Sequence, residues 1–186
     1  MKFLVCVLLA GSVLVPMQAK AGDAPMPSQP PAFDPGYSGL YVRGDVGASF
    51  LNSGNSSPSS YVGDAGIGYA FDQNFRADIT YSFTGNYALN PTGNISTNVI
   101  LGSVYYDFRN QSPLTPYLGI GAGYGFENGS NGVANAQGLA VGFAAGVSYD
   151  LNRNLALDVG YRFHDILVTN QNTPEHQVAV GLRLKF

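Results

Sequence analysis

The sequence predicts an all-β fold, an eight-stranded antiparallel transmembrane up-and-down β-barrel, from three observations. Apolar residues alternate strictly with small or charged residues over positions 178–186, which places one face of a strand in an apolar medium. The chain stops at Phe186 on that apolar face, an ending typical of closed barrels in which lipid receives the aromatic side chain. Seven earlier segments of about ten residues alternate similarly, and a tilted membrane strand requires this length.

Residues 1–21 are predicted to be a cleaved signal peptide. Lys2 supplies a positive start, residues 3–17 form a short apolar run, and residues 19–21 end it with small side chains at the recognition positions. The run is shorter than the roughly 20 apolar residues that cross a bilayer, which disfavours a membrane anchor. The only cysteine, Cys6, lies inside this run, so we expect no thiol chemistry in the mature chain.

A proline-rich stretch follows the predicted signal peptide. Five prolines within residues 22–38 disfavour both helix and sheet and favour an extended lead-in in the periplasm. We therefore predict three regions: the signal peptide at residues 1–21, the lead-in at residues 22–38 and the barrel at residues 39–186.

The charge of the mature chain argues against nucleic acid as a partner. Removing Lys2 and Lys20 from nine basic residues leaves seven, against twelve acidic residues, which gives a net charge of −5. Binding to a phosphate backbone depends on an excess of lysine and arginine. We therefore predict no nucleic-acid partner.

The first four predicted strands each pair an apolar face with a polar face. Apolar residues of the third, for example, alternate with Arg, Asp, Thr and Ser, and the polar residues 72–74 form a tight turn before it. The fourth strand is the least regular, because Asn98 and Ile100 share a face. In order, these strands are residues 40–50 with Arg43 and Asp45, 61–71 with Asp64, 75–83 with Arg76 and Asp78, and 97–108.

The last four predicted strands continue the pattern. In the fifth, glycines from Gly119 to Gly125 alternate with apolar residues, whereas a phosphate-binding loop would need a turn and then a helix. We therefore expect these glycines to give room to side chains in the lumen. In order, these strands are residues 118–126, 139–151, 155–163 with Asp158 and Arg162, and 178–186 with Arg183.

The charged residues fix the register of the barrel. A one-residue slip would expose four arginines to lipid, at roughly 2–4 kcal/mol for each one near the midplane. Facing inward, they can pair with carboxylates, and an interior bounded by eight strands is filled by side chains, so we predict no wide pore. The predicted lumen network consists of Arg43, Asp45, Asp64, Arg76, Asp78, Asp158, Arg162 and Arg183.

The even number of strands predicts that both chain ends lie in the periplasm, with short turns there and longer loops outside. The four outer loops are predicted at about residues 51–60, 84–96, 127–136 and 165–175, all rich in Asn, Ser and Gly. Tyrosine and phenylalanine replace the absent tryptophan at the membrane interfaces.

An internal repeat relates residues 69–83 to residues 149–163. Both carry Tyr, Asn, Asp, Tyr and Phe at matching positions, eighty residues apart. Either a duplication or equal physical demands on two periplasmic hairpins explains it.

His164 and His176, the only histidines, are weak candidates for holding haem or a metal at the outer rim. Strand parity places His164 in the lumen and His176 outside, which opposes convergence. We therefore predict no cofactor and no metal site. A hydrolase would need a serine and an acid beside a histidine, and no serine lies opposite Glu175 and His176 on a predicted strand, so we predict no enzymatic activity.

Three stretches resemble the opacity-type surface antigens, small eight-stranded outer-membrane proteins typical of alphaproteobacteria and their relatives. They are residues 36–47 (GYSGLYVRGDVG), 115–124 (TPYLGIGAGY) and 181–186 (GLRLKF). The resemblance implies that Phe186 is the signal read by the barrel assembly machinery. Family members serve as adhesins, host-interaction antigens, haem binders and envelope-stabilising proteins, so the resemblance leaves these roles open.

We therefore expect a monomeric structural barrel of the bacterial outer membrane that exposes four loops for envelope integrity or for contact with host or other surfaces. Its expected partners are outer-membrane lipid and lipopolysaccharide, the barrel assembly machinery, and a host or matrix ligand of the loops. The alternatives are binding of haem or another small ligand, a lipid-modifying enzyme, and a narrow channel.

Overall fold

The computed structural model describes residues 38–51, 58–89, 93–130, 134–168 and 171–186. The predicted signal peptide and all but the last residue of the predicted lead-in lie outside these ranges, and both stay predictions. Within the same ranges, no helix is long and apolar enough to cross a membrane.

Nine β-strands are described, and eight of them close into an antiparallel barrel, which confirms the predicted fold class. The strands are β1 (Gly39–Leu51), β2 (Ser59–Ala70), β3 (Phe75–Thr84), β4 (Tyr87–Leu89), β5 (Gly93–Asp107), β6 (Leu114–Ser130), β7 (Ala136–Asp150), β8 (Leu155–Val168) and β9 (Gln171–Lys185). Each barrel strand pairs with the next, β3 pairs with β5, and β9 pairs with β1. The short β4 pairs with the beginning of β5.

The register shows that the strands are tilted. We start at Tyr41 on β1 and move from each residue to its Cα register partner on the next strand. After one full turn around the barrel this path returns to β1 at Leu51, ten residues after Tyr41. A displacement of this size requires tilted strands, and eight strands enclose an interior just wide enough for side chains to fill. The partners on this path are Tyr41, Gly68, Asp78, Ser103, Gly121, Gly142, His164, Glu175 and Leu51.

The two faces of the barrel wall separate apolar from charged side chains. Val178, Leu182 and Phe186 are exposed on the outer face, whereas Arg43 and Asp45 are buried in the interior. This is the arrangement of a membrane barrel, in which hydrocarbon contacts the outside and ions are paired inside.

A hydrogen bond on the outer face accounts for the irregular alternation of β5. Asn98 lies on the lipid-facing side with Ile100, and its Oδ1 accepts a hydrogen bond from the phenol of Tyr81 at 2.7 Å. The amide therefore has a partner near the outer end of the barrel, where both polar and aromatic groups are tolerated.

Aromatic side chains form groups on the outer face near both ends of the barrel. Near the turns, the ring centroids of Tyr69 and Phe71 lie 5.4 Å apart. Near the outer end, those of Tyr124 and Phe126 lie 5.2 Å apart. Such rings suit the two interfaces between lipid and water.

A bulge turns Tyr87 into the barrel. From Phe83 to Tyr87 the chain advances four residues, while its partners on β5 advance three, from Asn98 to Ile95. The extra residue reverses which positions face inward, so that Tyr87 is fully buried. The predicted outer loop at residues 84–96 is therefore partly strand, and its tyrosine belongs to the interior.

The other outer connections are also shorter than the sequence predicts. β6 continues to Ser130, and β8 and β9 pair as far as Val168 and Gln171, which leaves residues 169–170 between them. About half of the predicted loop at residues 127–136, and most of the one at residues 165–175, thus lies within strands. Beyond the lipid, both faces of a strand meet polar surroundings, so alternation no longer marks it.

The internal repeat corresponds to two equivalent hairpins. In each, the first turn side chain accepts two backbone hydrogen bonds, and an asparagine two residues later donates to the neighbouring strand. Asp72 and Asn152 are the acceptors. Asn74 Nδ2 donates to the carbonyl of Asp107, and Asn154 Nδ2 donates to that of Lys185, each at 2.9 Å. Equal demands on both turns therefore account for the shared asparagines.

Asn154→Ala should lower the free energy of unfolding by about 0.5–1.5 kcal/mol, because it removes one hydrogen bond that holds the last strand. The backbone contact from the amide of Lys185 to the carbonyl of Asn154, at 2.7 Å, would remain. Urea unfolding of the micelle-bound barrel measures this effect. Arg153→Ala in the same exposed turn is the control, and an equal loss in both variants would contradict the role of the asparagine.

Candidate functional site

Four arginines and five aspartates pair in the barrel interior, from the turn end to mid-height. All eight residues of the predicted lumen network are buried, and Asp107 joins them. The complete set is Arg43, Arg76, Arg162, Arg183, Asp45, Asp64, Asp78, Asp107 and Asp158.

Arg43 connects three strands. Its Nε and Nη2 donate to the two carboxylate oxygens of Asp45 at 3.0 and 2.9 Å. Its Nη1 donates to Asp78 Oδ2 at 3.3 Å and to the hydroxyl of Tyr105 at 3.2 Å. The guanidinium therefore ties β1 to β3 and β5, as its planar set of donors allows.

Arg162 reaches across the lumen from β8 to two carboxylates on β1 and β2. Asp45 and Asp64 are direct register partners, and like charges in that position repel each other. Arg162 Nη2 contacts Asp45 Oδ1 at 2.8 Å, and its Nη1 donates to Asp64 Oδ2. The guanidinium of Arg162 thus offsets the repulsion between the two carboxylates and occupies the lumen at this height.

Arg76 lies among aromatic rings, an arrangement that the alternation of the strands does not predict. Its Nε is 3.1 Å from both oxygens of Asp107, and its Cζ lies 4.0 Å from the ring centroid of Tyr105 and 5.0 Å from that of Tyr117. Nη1 and Nη2 have no hydrogen-bond partner among the described residues, so the rings stabilise them by cation–π attraction.

Further ion pairs occupy the turn end. Arg183 Nη2 is 3.2 Å from Asp158 Oδ1 and 2.9 Å from Ser148 Oγ. Lys185 and Arg109 contact the two oxygens of Asp150 at 2.5 and 3.3 Å. These pairs lie at the turn end of the lumen.

Glycines of the wall make room for the interior rings, as predicted for the fifth strand. A Cβ on Gly119 would collide with the ring of Tyr105, and one on Gly146 or Gly160 would collide with Tyr117. The aromatic layer around Arg76 therefore depends on glycine at these wall positions.

The outer half of the interior has a different character. Val99, Leu101, Ala140 and Ile166 form an apolar cluster there. Beside it, Glu175 is buried among hydroxyl groups, with Thr97 Oγ1 at 2.6 Å and the Tyr87 hydroxyl at 2.8 Å from its Oε1. Glu175 belongs to a predicted loop, and the continuation of β9 to Gln171 places it inside the barrel wall.

The two histidines lie on opposite faces of the barrel wall. His164 is buried in the interior, whereas His176 lies on the outer face, where its Nδ1 is 2.6 Å from the hydroxyl of Tyr161. Beside His164 is a cavity of about 20 Å³, room for about one water molecule, whereas small-ligand pockets measure roughly 300–1,000 Å³. The histidines cannot hold one haem between them.

His176 lacks the neighbours of a hydrolytic site among the described residues. Its register partners are Phe50 and Phe163, and Glu175 points to the other side of the wall. No serine contacts it within the described ranges, so the serine–histidine–acid arrangement is not formed there.

Phe186 closes the barrel at its last residue. Its amide donates to the carbonyl of Leu40 at 3.0 Å, and its side chain is 67% exposed on the lipid-facing side. The aromatic ring is therefore displayed, but its role as an assembly signal stays a prediction.

Two comparisons of sequence place the chain among known proteins. A family model described as "outer membrane protein beta-barrel domain" matches residues 7–186. An uncharacterized protein of Haemophilus influenzae is 30% identical over 166 residues, which cover 78% of this chain and 88% of that protein.

Further similarities involve proteins of Neisseria. Opacity protein opA67 of Neisseria gonorrhoeae is 27% identical over 119 residues, covering 45% of this chain and 51% of that protein, so the similarity spans about half of each. The crystal structure of Neisserial surface protein A superposes with a TM-score of 0.70 at 27% identity, covering 80% of this chain and 98% of that one. The resemblance predicted from residues 36–47, 115–124 and 181–186 is confirmed.

Proposed function

Since this chain belongs to the outer membrane protein β-barrel domain family, and is therefore a barrel of the bacterial outer membrane, we propose that it acts structurally, as a sealed anchor whose outer end contacts other surfaces. The contacted surface is that of a host cell, of extracellular matrix or of neighbouring envelope components. Its role as an adhesin or surface antigen is the finer part of the proposal.

The filling of the interior by paired charged and aromatic side chains is the observation that carries this proposal. Arg162 crosses the lumen to Asp45 and Asp64, and the layer around Arg76 and Tyr105 lies below it. Side chains that fill a small barrel leave no wide route for solutes, and the cavity beside His164, at about 20 Å³, is too small for a ligand such as haem. What such a barrel offers to other molecules is its outer rim.

The outer rim has a defined chemistry. The sequence contains no lysine or arginine at residues 51–60, 84–96, 127–136 or 165–175, and these segments are rich in Asn, Ser, Thr and Gly. Contacts would therefore rely on neutral hydrogen-bonding groups, and on carboxylates such as that of Asp165, rather than on cationic side chains. These groups are held by a rigid scaffold, where recognition usually resides. The names of the opacity and surface-protein relatives agree with an exposed position.

Several predicted features complete the proposal. The chain is exported with a cleaved signal peptide at residues 1–21, assembled through recognition of Phe186, and embedded as a monomer in lipid and lipopolysaccharide. We also propose that it acts without catalysis and without a cofactor, since His164 and His176 do not converge. Unchanged lipid A in cells that express the protein would support the absence of lipid-modifying activity.

Replacing residues 52–57 and 131–133 by short Gly-Asn turns should reduce adhesion of expressing bacteria to host cells or matrix to the level of cells without the protein. The control is the double variant His164→Ala, His176→Ala, which should keep full adhesion. When haem is added, this variant and the unaltered protein should give the same haem absorption. Heat-modifiable gel mobility verifies that each variant folds. Undiminished adhesion after both replacements would overturn the surface-contact role.

A further inference from the structure

Two carboxylates are buried at the outer mouth of the barrel without a cationic partner. Glu127 is 7% exposed and Glu175 is 1% exposed, and both face inward. Neither forms an ion pair with any residue that the structure describes, in contrast to the aspartates below them. The four outer segments defined above contain no lysine or arginine that could pair with them.

The register brings the two carboxylates together at Thr97. Glu127 on β6 is the direct register partner of Thr97 on β5, and side chains in that relation have Cβ atoms about 4.5–5.5 Å apart. Thr97 Oγ1 in turn lies 2.6 Å from Glu175 Oε1 on β9. Thr97 is therefore a neighbour of both glutamates.

Neutral polar groups surround the carboxylate of Glu175. Tyr87 and Thr84 hydroxyls lie 2.8 and 3.5 Å from Glu175 Oε1. Gln177 is fully buried, with its Nε2 at 3.4 Å from Glu175 Oε2, and its Oε1 has no hydrogen-bond partner among the described residues. The same is true of Glu127 Oε1. Unpartnered buried oxygens are rare, and each calls for a partner such as an ion.

The chemistry of these groups identifies the ligand class. Burying two carboxylates without a cation costs desolvation energy, which the hydrogen bonds to Glu175 offset only in part and which leaves Glu127 Oε1 without a partner. A bound cation would offset the remainder. The groups that contact Glu175 or adjoin Glu127 offer carboxylate, amide and hydroxyl oxygens, a set that suits hard cations such as Ca²⁺ rather than Zn²⁺ or Cu²⁺. His164 is the register partner of Glu175 on β8, but its imidazole lines the cavity of about 20 Å³ and forms no hydrogen bond with either glutamate. A small ion also fits where a haem-sized molecule does not.

We propose that the outer mouth of the barrel binds one divalent cation of the Ca²⁺ class through Glu127 and Glu175, with Gln177 and Thr97 as supporting oxygen donors. No sequence motif indicates this site, because Glu127 and Glu175 are 48 residues apart and lie in separate predicted loops. The site is independent of what the outer connections contact. Its cation would join β5, β6 and β9 at the end where the ion pairs of the lumen are absent.

Isothermal titration of Ca²⁺ into the full folded barrel, in detergent micelles with Na⁺ in the buffer, tests the proposal. We expect about one site per chain and a rise in the thermal unfolding midpoint with Ca²⁺. Glu127→Gln and Glu175→Gln should each weaken binding at least about tenfold, since even supporting residues of a metal site contribute that much.

Asp165→Asn is the matched control, because this carboxylate lies at the same end of the barrel but on the outer face of β8, and it should leave Ca²⁺ binding unchanged. Heat-modifiable mobility shows whether each variant is folded. Absence of Ca²⁺ binding by the unaltered barrel would overturn the proposal, as would equal binding by the two glutamine variants and the unaltered chain.

Discussion

Arg76→Met should destabilise the folded barrel by about 3–5 kcal/mol, the cost of breaking a buried ion pair by removing one partner. Arg76 is 2% exposed, and its Nε is 3.1 Å from both carboxylate oxygens of Asp107. Methionine fills similar space but leaves the carboxylate buried without its cation. The rings of Tyr105 and Tyr117 also lose the guanidinium that lies against them.

The measurement is denaturant unfolding of the micelle-bound barrel followed by circular dichroism, because the chain has no tryptophan for fluorescence. Arg153→Met, in the exposed turn between β7 and β8, is the control and should change stability by less than about 0.5 kcal/mol. Combining Arg76→Met with Asp107→Asn should recover part of the loss, since no uncompensated charge then remains. A loss in Arg76→Met no larger than in the control would contradict the role of the pair.

Which side chains face outward could be predicted, because hydrocarbon on one side of the wall and the lumen on the other select different residues at alternate positions. On β9, Val178, Val180 and Leu182 alternate with residues that the interior requires to be small or charged, and the structure places them outside. The same alternation located Arg43 and Arg162 on the inner face. No knowledge of the partner strands is needed for this, because hydrocarbon and lumen act on each strand separately.

The pairing of the interior charges could not be predicted, because it depends on the displacement of the strands around the whole barrel. Arg162 and Asp64 are 98 residues apart, and only a register accumulated over successive strands brings them together. The bulge before Tyr87 is likewise invisible in the alternation, although it reverses the inward face. The buried position of Glu175 and its hydrogen bonds were not predicted, because its neighbours in sequence resemble a polar loop, while its partners lie on β3, β4 and β5.

These differences have a common physical origin. The sequence pattern is strong where lipid contacts the wall, and it weakens at the outer end, where the strands continue into water. The errors in the predicted loops, the placement of Tyr87 and the pairing around Glu175 all occur at that end. The contacts at the outer mouth therefore follow from the structure and not from the sequence pattern.

Val180→Arg should cost about 2–4 kcal/mol of folding free energy in lipid vesicles, because it places a cation near the middle of the lipid-facing band. Val180 is an outward residue of β9, six positions before Phe186 at the turn end and four positions after His176 near the outer end. Its register partners are Val46 and Val159, so no polar side chain adjoins it directly across either neighbouring strand.

Leu139→Arg is the matched control for depth, since Leu139 is also exposed on the outer face but lies close to the outer end of β7. The same substitution there should cost only about 0–1 kcal/mol, because the guanidinium can reach the interface. Urea-dependent folding into vesicles measures both values. Equal costs at the two depths would mean that the apolar outer face does not lie across the hydrocarbon, whereas a difference between them locates the membrane on the barrel directly and leaves the outer mouth, with Glu127 and Glu175, on its outer side.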